Sequence, residues 1–300
     1  MLKIAWSPHY CHPLPEGHRF PMLKYELIPE QLIYEGSIKE DQLFGPESLQ
    51  EPDALTIHTE AYFSDLIHSK ISPAMVRKIG FPLSKELIER ELIITQGTID
   101  CAIFAMKYGA AFNVAGGTHH AFSDSGEGFC LLNDIAVASG FLLKNKLAKQ
   151  ILVVDLDVHQ GNGTASIFEN DKRVFTFSMH GQNNYPLKKQ NSDLDIGLPD
   201  GIRDAGYLNL LSSHLPRLFQ HLEPDFVFYQ SGVDILESDR LGRLGVSALA
   251  CKQRDEFVFA LCKTHKVPVV AVMGGGYSPK IANIVDAHCN TFRAALDIFF

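Results

Sequence analysis

The sequence predicts an α/β fold in which a mostly parallel β-sheet carries helices on both faces. Three observations lead to this prediction. Segments typical of strands alternate with segments typical of helices along much of the 300 residues. The strand-like segments are continuous apolar runs, as expected for strands that are buried on both faces. Hydrophobic residues make up 46% of the chain, which is enough for a large core. Right-handed crossovers should therefore join the strands.

The first half of the chain contains two predicted strands and one long predicted helix. A short strand at 3–7 is followed by a loop rich in Pro and His. The helix at 84–108 has Ser84 as its N-cap and Glu86 in its first turn, and apolar residues recur in it at helical spacing. A short apolar run at 110–117 ends in two glycines and predicts the next strand.

The second half continues the alternation. Its predicted strands are 151–158, 174–180, 225–232 and 267–276. Its predicted helices are 133–147, 163–170, 204–221, 247–265 and 279–298. The residue pattern thus identifies six strands.

Composition and charge exclude several classes of protein. The net charge of −8 argues against nucleic acid as the main partner, because the basic footprint of a nucleic-acid-binding protein is missing. No run of 18 apolar residues occurs, so we expect no membrane span, and the N-terminus lacks the pattern of a secretory signal. Six scattered cysteines without a CxxC pair are typical of free thiols in a reducing compartment, so we expect a cytoplasmic location.

Residues suited to catalysis or metal binding follow four of the predicted strands. In chain order they are His119 and His120, then Asp155, Asp157 and His159, then Asp234, and finally Tyr277. The carboxyl ends of parallel strands lie along one edge of the sheet, and ligands bind in the crevice outside that edge. We therefore expect these distant segments to converge on one site.

The alternating acidic residues at the end of the run 151–158 predict a metal site. Asp155, Asp157 and His159 occupy every second position and would share one face of a strand. Buried carboxylates are unfavourable unless a cation or hydrogen bonds compensate them. Asp157, His159 and Asp234 offer two oxygens and one nitrogen, and three protein ligands with an open position are typical of catalytic zinc. The metal ion would lower the pKa of a water molecule bound in that open position.

These motifs, in this order, resemble the zinc-dependent histone deacetylase family. The stretches that carry the resemblance are GGTHHAFSDSGEGFCLLNDIAVA, DLDVHQGNGTASIF, FTFSMHG, YQSGVDILESDRLGRL and MGGGYS. They cover most of the chain from about residue 110 onward, and HPLPEGHRFPMLKY resembles the N-terminal loop of the family. HQGNG and GVDILESDRLGRL are most similar to the class IV branch and its bacterial relatives, the histone deacetylase-like amidohydrolases.

The resemblance implies an arginase-like α/β fold with an open sheet of about eight strands. It also implies that residues 1–300 form a single catalytic domain. Its implied cofactor is one zinc ion held by Asp157, His159 and Asp234. The family also carries a potassium ion, for which the matching residues, partly through backbone oxygens, are Asp155, Asp157, His159, Ser178 and Met179.

The resemblance further implies catalytic roles for five residues. His120 would be the general base and then the general acid, and His119 would assist it electrostatically. Tyr277 would polarise the substrate carbonyl through its hydroxyl, and Asp155 would orient His119. Asn162 occupies the position opposite His120, where other branches of the family have Asp. A neutral amide orients the imidazole but does not stabilise its protonated form by charge.

The substrate-binding residues implied by the resemblance are Gly128, Phe129 and Gly275. Phe129 would flank the stem of an acyl-lysine, and the Gly128 carbonyl would accept its amide proton. Phe20 and Met22 in the N-terminal loop are candidates for the tunnel mouth, with core packing as the alternative.

The expected reaction is hydrolysis of an acyl-lysine amide in proteins, with an acetyl or a longer fatty acyl group removed. The alternative is a deacetylase of acetylpolyamines or other small amides, because Glu16, Asp124 or Glu127 could bind a cationic substrate at the pocket rim. A manganese ureohydrolase of the same fold is disfavoured by the His-His pair and the GGGY segment. A non-catalytic binder of acylated ligands is disfavoured because no catalytic position is lost.

Overall fold

The computed structural model describes residues 1–300 and contains one eight-stranded sheet. The strands are β1 Lys3–Ala5, β2 Leu43–Phe44, β3 Ala110–Asn113, β4 Ile151–Asp155, β5 Val174–Gly181, β6 Leu194–Leu198, β7 Phe226–Gln230 and β8 Val269–Val272. Their order in the sheet is β2-β1-β3-β8-β7-β4-β5-β6, and every neighbouring pair is parallel. The predicted α/β fold with a parallel sheet of about eight strands is confirmed.

Ten α-helices surround the sheet. They are α1 Lys24–Tyr34, α2 Glu51–Ala54, α3 Glu60–Ile67, α4 Pro73–Ile79, α5 Lys85–Tyr108, α6 Asp134–Lys144, α7 Asn162–Phe168, α8 Asp204–Leu222, α9 Ala248–His265 and α10 Ile281–Phe299. Two groups of helices pack together, α5 with α6 and α7 in one, and α1, α10, α9 and α8 in the other. Both groups contact strands, through α5 and α10 on β3. None of the helices is long and apolar enough to cross a bilayer.

Local chemistry explains where the long helix α5 begins and ends. The Ser84 side chain accepts a hydrogen bond from the Leu87 N–H at 3.1 Å, as an N-cap does. Gly109 ends the helix with a φ of +93°, a conformation that favours glycine. The predicted helix at 84–108 is therefore correct to within one residue.

The residue pattern missed the two edge strands. Strand β2 has only two residues, and β6 pairs on one side only, with β5. Because one face of β6 meets solvent, its residues alternate between partly buried and exposed and do not form a continuous apolar run. The helices α1, α2 and α4 were also not assigned from the sequence.

The centre of the sheet positions the site. One hydrophobic cluster of 82 buried residues encloses the strands. Strands β3, β8, β7 and β4 are adjacent in the sheet, and they are the four strands that the chemically active residues follow. Because the carboxyl ends of these strands lie side by side at one edge of the sheet, the residues that follow them lie close together.

Candidate active site

The segment after β4 carries three of the predicted site residues. The strand ends at Asp155, so the strand alternation expected for Asp157 and His159 is wrong. The chain instead makes two successive turns, in which the Asp157 N–H donates to Asp155 Oδ1 at 3.2 Å and the His159 N–H donates to Asp157 Oδ1 at 2.9 Å. Such turns are favoured by Asp because its side chain bonds to the backbone two residues on.

Asp157, His159 and Asp234 converge and form a candidate metal site. One ligand atom from each residue lies within 4.8 Å of the other two, and all three residues are buried. His159 Nδ1 lies 3.0 Å from Asp157 Oδ1 and 3.1 Å from Asp234 Oδ2. The donor set of two oxygens and one nitrogen is one that zinc accepts.

The pKa shifts of these three groups indicate that the two buried carboxylates require a compensating positive charge. Burial alone would lower the pKa of His159, but Asp157 and Asp234 outweigh it and raise that pKa to about 10. Burial and the Asp157 charge raise the pKa of Asp234 to about 7. Without another cation, a proton must compensate the two buried carboxylates. A divalent metal compensates them better, so the residues present fit a zinc ion.

Backbone groups and glycines hold the two carboxylates in place. Asp157 Oδ2 accepts the Gly275 N–H at 2.7 Å, and Asp234 Oδ1 accepts the Val158 N–H at 2.9 Å. A Cβ on Gly275 would collide with the Asp234 carboxylate, and one on Gly232 would collide with Asp157. Gly275 thus allows close approach of the backbone to the two carboxylates.

The loop after β3 presents the two histidines and is fixed by the start of α6. Asp134 Oδ1 accepts the Thr118 N–H at 2.8 Å, and Oδ2 accepts the Gly117 N–H at 3.1 Å. Gly116 and Gly117 both have positive φ, which lets the loop turn sharply before the histidines. The loop is therefore anchored by a buried carboxylate.

His119 is paired directly with a carboxylate. Its Nδ1 lies 2.7 Å from Asp155 Oδ2, and both side chains are buried. Burial alone would lower the pKa of His119, but Asp155 outweighs it and the pKa is raised. The contact with Asp155 thus favours the protonated form of His119.

His120 is paired with an amide, and the amide with a carboxylate. Its Nδ1 lies 2.6 Å from Asn162 Oδ1, and Asn162 Nδ2 lies 2.6 Å from Glu127 Oε1. An ionised carboxylate only accepts hydrogen bonds, so Asn162 must turn its NH₂ toward Glu127 and its oxygen toward His120. Nδ1 of His120 then carries the proton, and Nε2 is left as an unprotonated acceptor.

Glu127 has two further partners and is almost completely buried. It is only 4% exposed, forms an ion pair with Lys78, and accepts the Tyr185 hydroxyl at 2.8 Å. The Tyr185 ring also meets the His120 ring edge to face, with centroids 5.0 Å apart. The expectation that Glu127 forms an acidic pocket rim is therefore wrong, because its charge is already compensated inside the protein.

A hydrogen bond from the backbone N–H of Tyr277 fixes the position of this residue. Its N–H donates to Asp239 Oδ2 at 2.6 Å, while the other oxygen of Asp239 accepts the N–H groups of Leu241 and Gly242. Burial, followed by the charges of Asp234 and Asp157, raises the pKa of the Tyr277 hydroxyl well above its ordinary value. The hydroxyl therefore remains a hydrogen-bond donor.

Aromatic side chains wall the pocket above these groups. The rings of Phe20 and Phe129 meet at 5.2 Å, and each lies near Tyr277, at 6.1 and 6.3 Å. An inner cavity of about 40 Å³ reaches Asp157, and an outer cavity of about 290 Å³ opens to the surface. Residues that line both cavities are His120, Gly128, Phe129, His159 and Tyr277.

The remaining predicted residues of this region are those of the potassium site and the tunnel mouth. Ser178 of β5 lies opposite Asp155 of β4 in the sheet register, and Met179 follows it, so the residues of the potassium prediction are neighbours. Phe20, suggested for the tunnel mouth, lines the inner cavity and not the outer one, whereas Met22 is buried in the core.

Sequence reasoning did not find three contributors to the site. They are Lys78, Tyr185 and Asp239. All three act through contacts between segments far apart in the chain, and a single sequence gives no signal for such contacts.

Comparison with known proteins agrees with this architecture. Residues 18–292 match the family model described as the histone deacetylase domain. An uncharacterised protein of Picosynechococcus sp. is 43% identical over 296 residues, which cover 99% of each chain. Histone deacetylase 2 of Arabidopsis thaliana is 28% identical over 285 residues, or 89% of this chain and 72% of that protein.

Solved structures with the same fold include two HDAC homologs. The crystal structure of an HDAC homolog complexed with SAHA has a TM-score of 0.85 at 25% identity, and it covers 99% of this chain and 84% of that chain. The crystal structure of an HDAC homolog from Aquifex aeolicus has a TM-score of 0.83 at 24% identity, over 98% of this chain and 84% of that one. The latter supports the fold alone.

Proposed function

This chain belongs to the histone deacetylase family, and from that membership we propose that it is a zinc-dependent hydrolase of acyl-lysine side chains in proteins or peptides. The observation that most directly supports the proposal is the convergence of the Asp157, His159 and Asp234 ligand atoms beside two histidines of opposite pKa shift. A buried, aromatic-walled pocket leads to these groups.

Asp157, His159 and Asp234 would hold the zinc ion, through a carboxylate oxygen of each aspartate and Nδ1 of the histidine. Zinc bound there supplies Lewis acidity, which polarises an amide carbonyl and lowers the pKa of water. The backbone contacts of the two carboxylates, to the N–H groups of Gly275 and Val158, keep the ligand oxygens oriented.

His120 would move the proton. Burial, and then the charges of His119 and His159, lower its pKa well below the ordinary value, so its Nε2 is free to accept a proton from the attacking water. As the bond from the water oxygen to the carbonyl carbon forms and the carbon–nitrogen bond breaks, the same nitrogen returns the proton to the leaving amine. Asn162 keeps Nδ1 protonated throughout.

His119 and Tyr277 would stabilise the charge that develops on the carbonyl oxygen. The His119 ring lies with its centroid 4.2 Å from that of His120, and its protonated form, which Asp155 favours, would add positive charge. The Tyr277 hydroxyl would donate to the oxyanion, and a donor aimed at developing charge contributes roughly 2.7–4 kcal/mol.

We propose that the acyl group is short. The inner cavity of about 40 Å³ has room for roughly three waters at ~10–15 Å³ each. This volume suits an acetyl group better than a long fatty chain. A potassium ion at Asp155 and Ser178, and a cytoplasmic location, are further parts of the proposal; all six cysteines are unpaired, which favours a reducing compartment.

Acetylated polyamines are the second candidate substrate, but the pocket entrance argues against them. Glu16 and Asp124 do not line the inner or the outer cavity, and Glu127 is buried. A cationic substrate would therefore meet no free carboxylate at the entrance.

The proposal is tested by metal content and turnover together. We expect the protein to bind one zinc ion and to hydrolyse an acetyl-lysine peptide faster than acetylspermidine or a myristoyl-lysine peptide. Asp234→Ala should lose the zinc and all measurable turnover, because one of the three ligands is gone.

The matched variant for this test is Tyr277→Phe, which keeps all three ligands. It should retain zinc while turnover falls by roughly 10²–10³-fold. Full zinc content in Asp234→Ala would show that the ligand assignment is wrong, and an unchanged rate in Tyr277→Phe would remove the oxyanion role.

A further inference from the structure

The entrance of the pocket carries charge of one sign. The charged residues that line the outer cavity are Arg19, Arg77, Lys78 and Arg243, and a neighbouring groove beside Tyr277 adds Arg240. We call these five residues the mouth cations. No Asp or Glu lines the outer cavity or this groove, although the chain as a whole has 35 acidic and 27 basic residues. The protein therefore concentrates positive charge at the one place where substrate enters.

Most of this charge is uncompensated within the protein. Lys78 is paired with the buried Glu127, and Arg243 lies 3.6 Å from Asp200 across a largely exposed pair. Arg19, Arg77 and Arg240 form no ion pair with any carboxylate. Three guanidinium groups are thus free to meet an anionic partner, and guanidinium geometry matches a carboxylate.

Helix stability explains only part of this distribution. Arg77 and Lys78 lie in the last turn of α4, where cations interact favourably with the helix dipole. Arg19, Arg240 and Arg243 lie on loops and have no such role. Arg19 lies over the Phe129 ring at 5.1 Å, which places its charge at the wall of the tunnel itself.

We propose that the substrate of this site is an acylated lysine in an acidic peptide segment, with Asp or Glu side chains next to the lysine that bind the mouth cations. The proposal rests on the acyl-lysine hydrolase activity proposed above and specifies its substrate class. The neutral acyl-lysine stem enters the aromatic tunnel, while the flanking carboxylates remain outside at the entrance.

The dimensions of the entrance favour a peptide over a small anionic amide. The outer cavity holds about 290 Å³ against about 40 Å³ for the inner one, so most of the available space lies beyond the reacting group. The mouth cations come from three separate segments around this space. Leu187, which is 93% exposed, and Tyr185 add apolar surface beside them. A chain that crosses the entrance would contact all of these groups.

The test compares three acetyl-lysine peptides of equal length with acidic, neutral (Gln and Ser) or basic residues at the two positions on each side. With the zinc-loaded full-length protein, kcat/KM for the acidic peptide should exceed that for the neutral peptide by about tenfold at low salt, the sum of two or three exposed ion pairs. The basic peptide should be the poorest substrate. At about 0.5 M NaCl, where the screening length is a few ångströms, most of the difference should disappear.

Variants identify the groups responsible. In Arg77→Gln/Arg240→Gln, which removes two cations without internal partners, the acidic-to-neutral ratio should fall to about threefold. The matched control is Lys149→Gln/Arg217→Gln. Lys149 lies two residues before β4, and Arg217 lies in the second half of α8, which leads into β7, so both are near the amino ends of the strands, away from the pocket. This control has the same change in net charge and should keep the tenfold ratio.

A binding measurement separates this inference from the proposed activity. Fluorescence anisotropy of the labelled acidic and neutral peptides gives Kd values without turnover. If no peptide is hydrolysed but the acidic one binds about tenfold tighter, the proposed function fails and the acidic-peptide surface stands. Equal kcat/KM and equal Kd for all three peptides would overturn the inference, as would a ratio unaffected by Arg77→Gln/Arg240→Gln.

An anionic membrane is the competing partner for a basic surface with an exposed Leu187. Sedimentation with phosphatidylcholine vesicles, with and without phosphatidylserine, tests it. Binding that requires phosphatidylserine and Arg77 and Arg240, with no discrimination among the peptides, would assign the mouth cations to a membrane and overturn the proposal.

Discussion

His119 and His120 are neighbours in the sequence, yet their surroundings shift their pKa values in opposite directions. Asp155 contacts His119 directly, whereas Asn162 separates His120 from the carboxylate of Glu127. The pKa of His119 is raised, and that of His120 is lowered well below the ordinary value. Because both rings are buried, the group that contacts each ring, and not sequence position or burial, accounts for the difference and would decide which imidazole serves as the base.

The pair also works as a unit. A protonated His119 repels a proton on His120, so the direct carboxylate on one ring helps to keep the other ring neutral. The amide of Asn162 then fixes which nitrogen of the neutral ring is free.

The largest effect is expected from removing the rings themselves. His120→Ala should lower kcat by about 10²–10⁴-fold, the contribution typical of a positioned general base. His119→Ala should lower it by about 10–100-fold, since it loses a charged group that stabilises charge but transfers no proton. Single-turnover hydrolysis of an acetyl-lysine peptide measures both.

Zinc content and the thermal midpoint of unfolding serve as controls for this pair of variants. Both should keep the metal, because His119 and His120 are not among the three ligands. Equal losses in the two variants, or a greater loss in His119→Ala, would reverse the assignment of base and electrostatic partner.

Glu127→Gln tests the role of the carboxylate that accepts a hydrogen bond from the Asn162 amide. A Gln side chain can donate as well as accept, so Asn162 is no longer forced to turn its oxygen toward His120. We expect kcat to fall by about tenfold, the difference between a charge-assisted and a neutral hydrogen bond. The acidic limb of the pH–rate profile should also move to lower pH, because a negative charge that favours protonated His120 is gone.

Lys78→Met is the matched control, since it removes the ion pair of Glu127 but leaves the carboxylate in place. It should keep kcat within about threefold, and its acidic limb should move, if at all, to higher pH. A tenfold loss in Lys78→Met would mean that the ion pair, and not the carboxylate on Asn162, determines the rate.

The difference between the two histidines marks the limit of what the sequence could predict. Of the direct partners, Asp155 is the last residue of β4 and Asn162 follows the strand closely, so both could be identified from one short motif. Glu127 was visible in the sequence, but its burial and its contact with Lys78 depend on how α4 packs near the loop after the histidines. The fold shows a similar limit. The central strands such as β4 are continuous apolar runs and were predicted, whereas β6 has one solvated face and was not.

The smallest effect is expected from Asn162→Asp, which makes the partner of His120 like that of His119. An adjacent carboxylate favours protonated His120, so its pKa rises and the acidic limb of the pH–rate profile moves to higher pH. The pH optimum therefore moves upward, and activity at the optimum should stay within about threefold. The shift should be modest, because the new carboxylate would lie beside Glu127, and two carboxylates in contact share one proton.

The double variant Asn162→Asp/Glu127→Gln removes the second carboxylate, so no proton is shared between positions 162 and 127. The only carboxylate left is then the one at position 162, which would contact His120 directly, as Asp155 contacts His119. The new amide at position 127 can donate a hydrogen bond to this carboxylate, just as Asn162 donates one to Glu127 in the parent protein. The acidic limb should therefore move further upward than in Asn162→Asp alone, although Glu127→Gln alone moves it downward. Such non-additivity is expected only if the two positions act on His120 as one chain of hydrogen bonds. Additive shifts, or superimposable pH–rate profiles for the parent and Asn162→Asp, would mean that His120 is protonated independently of both side chains.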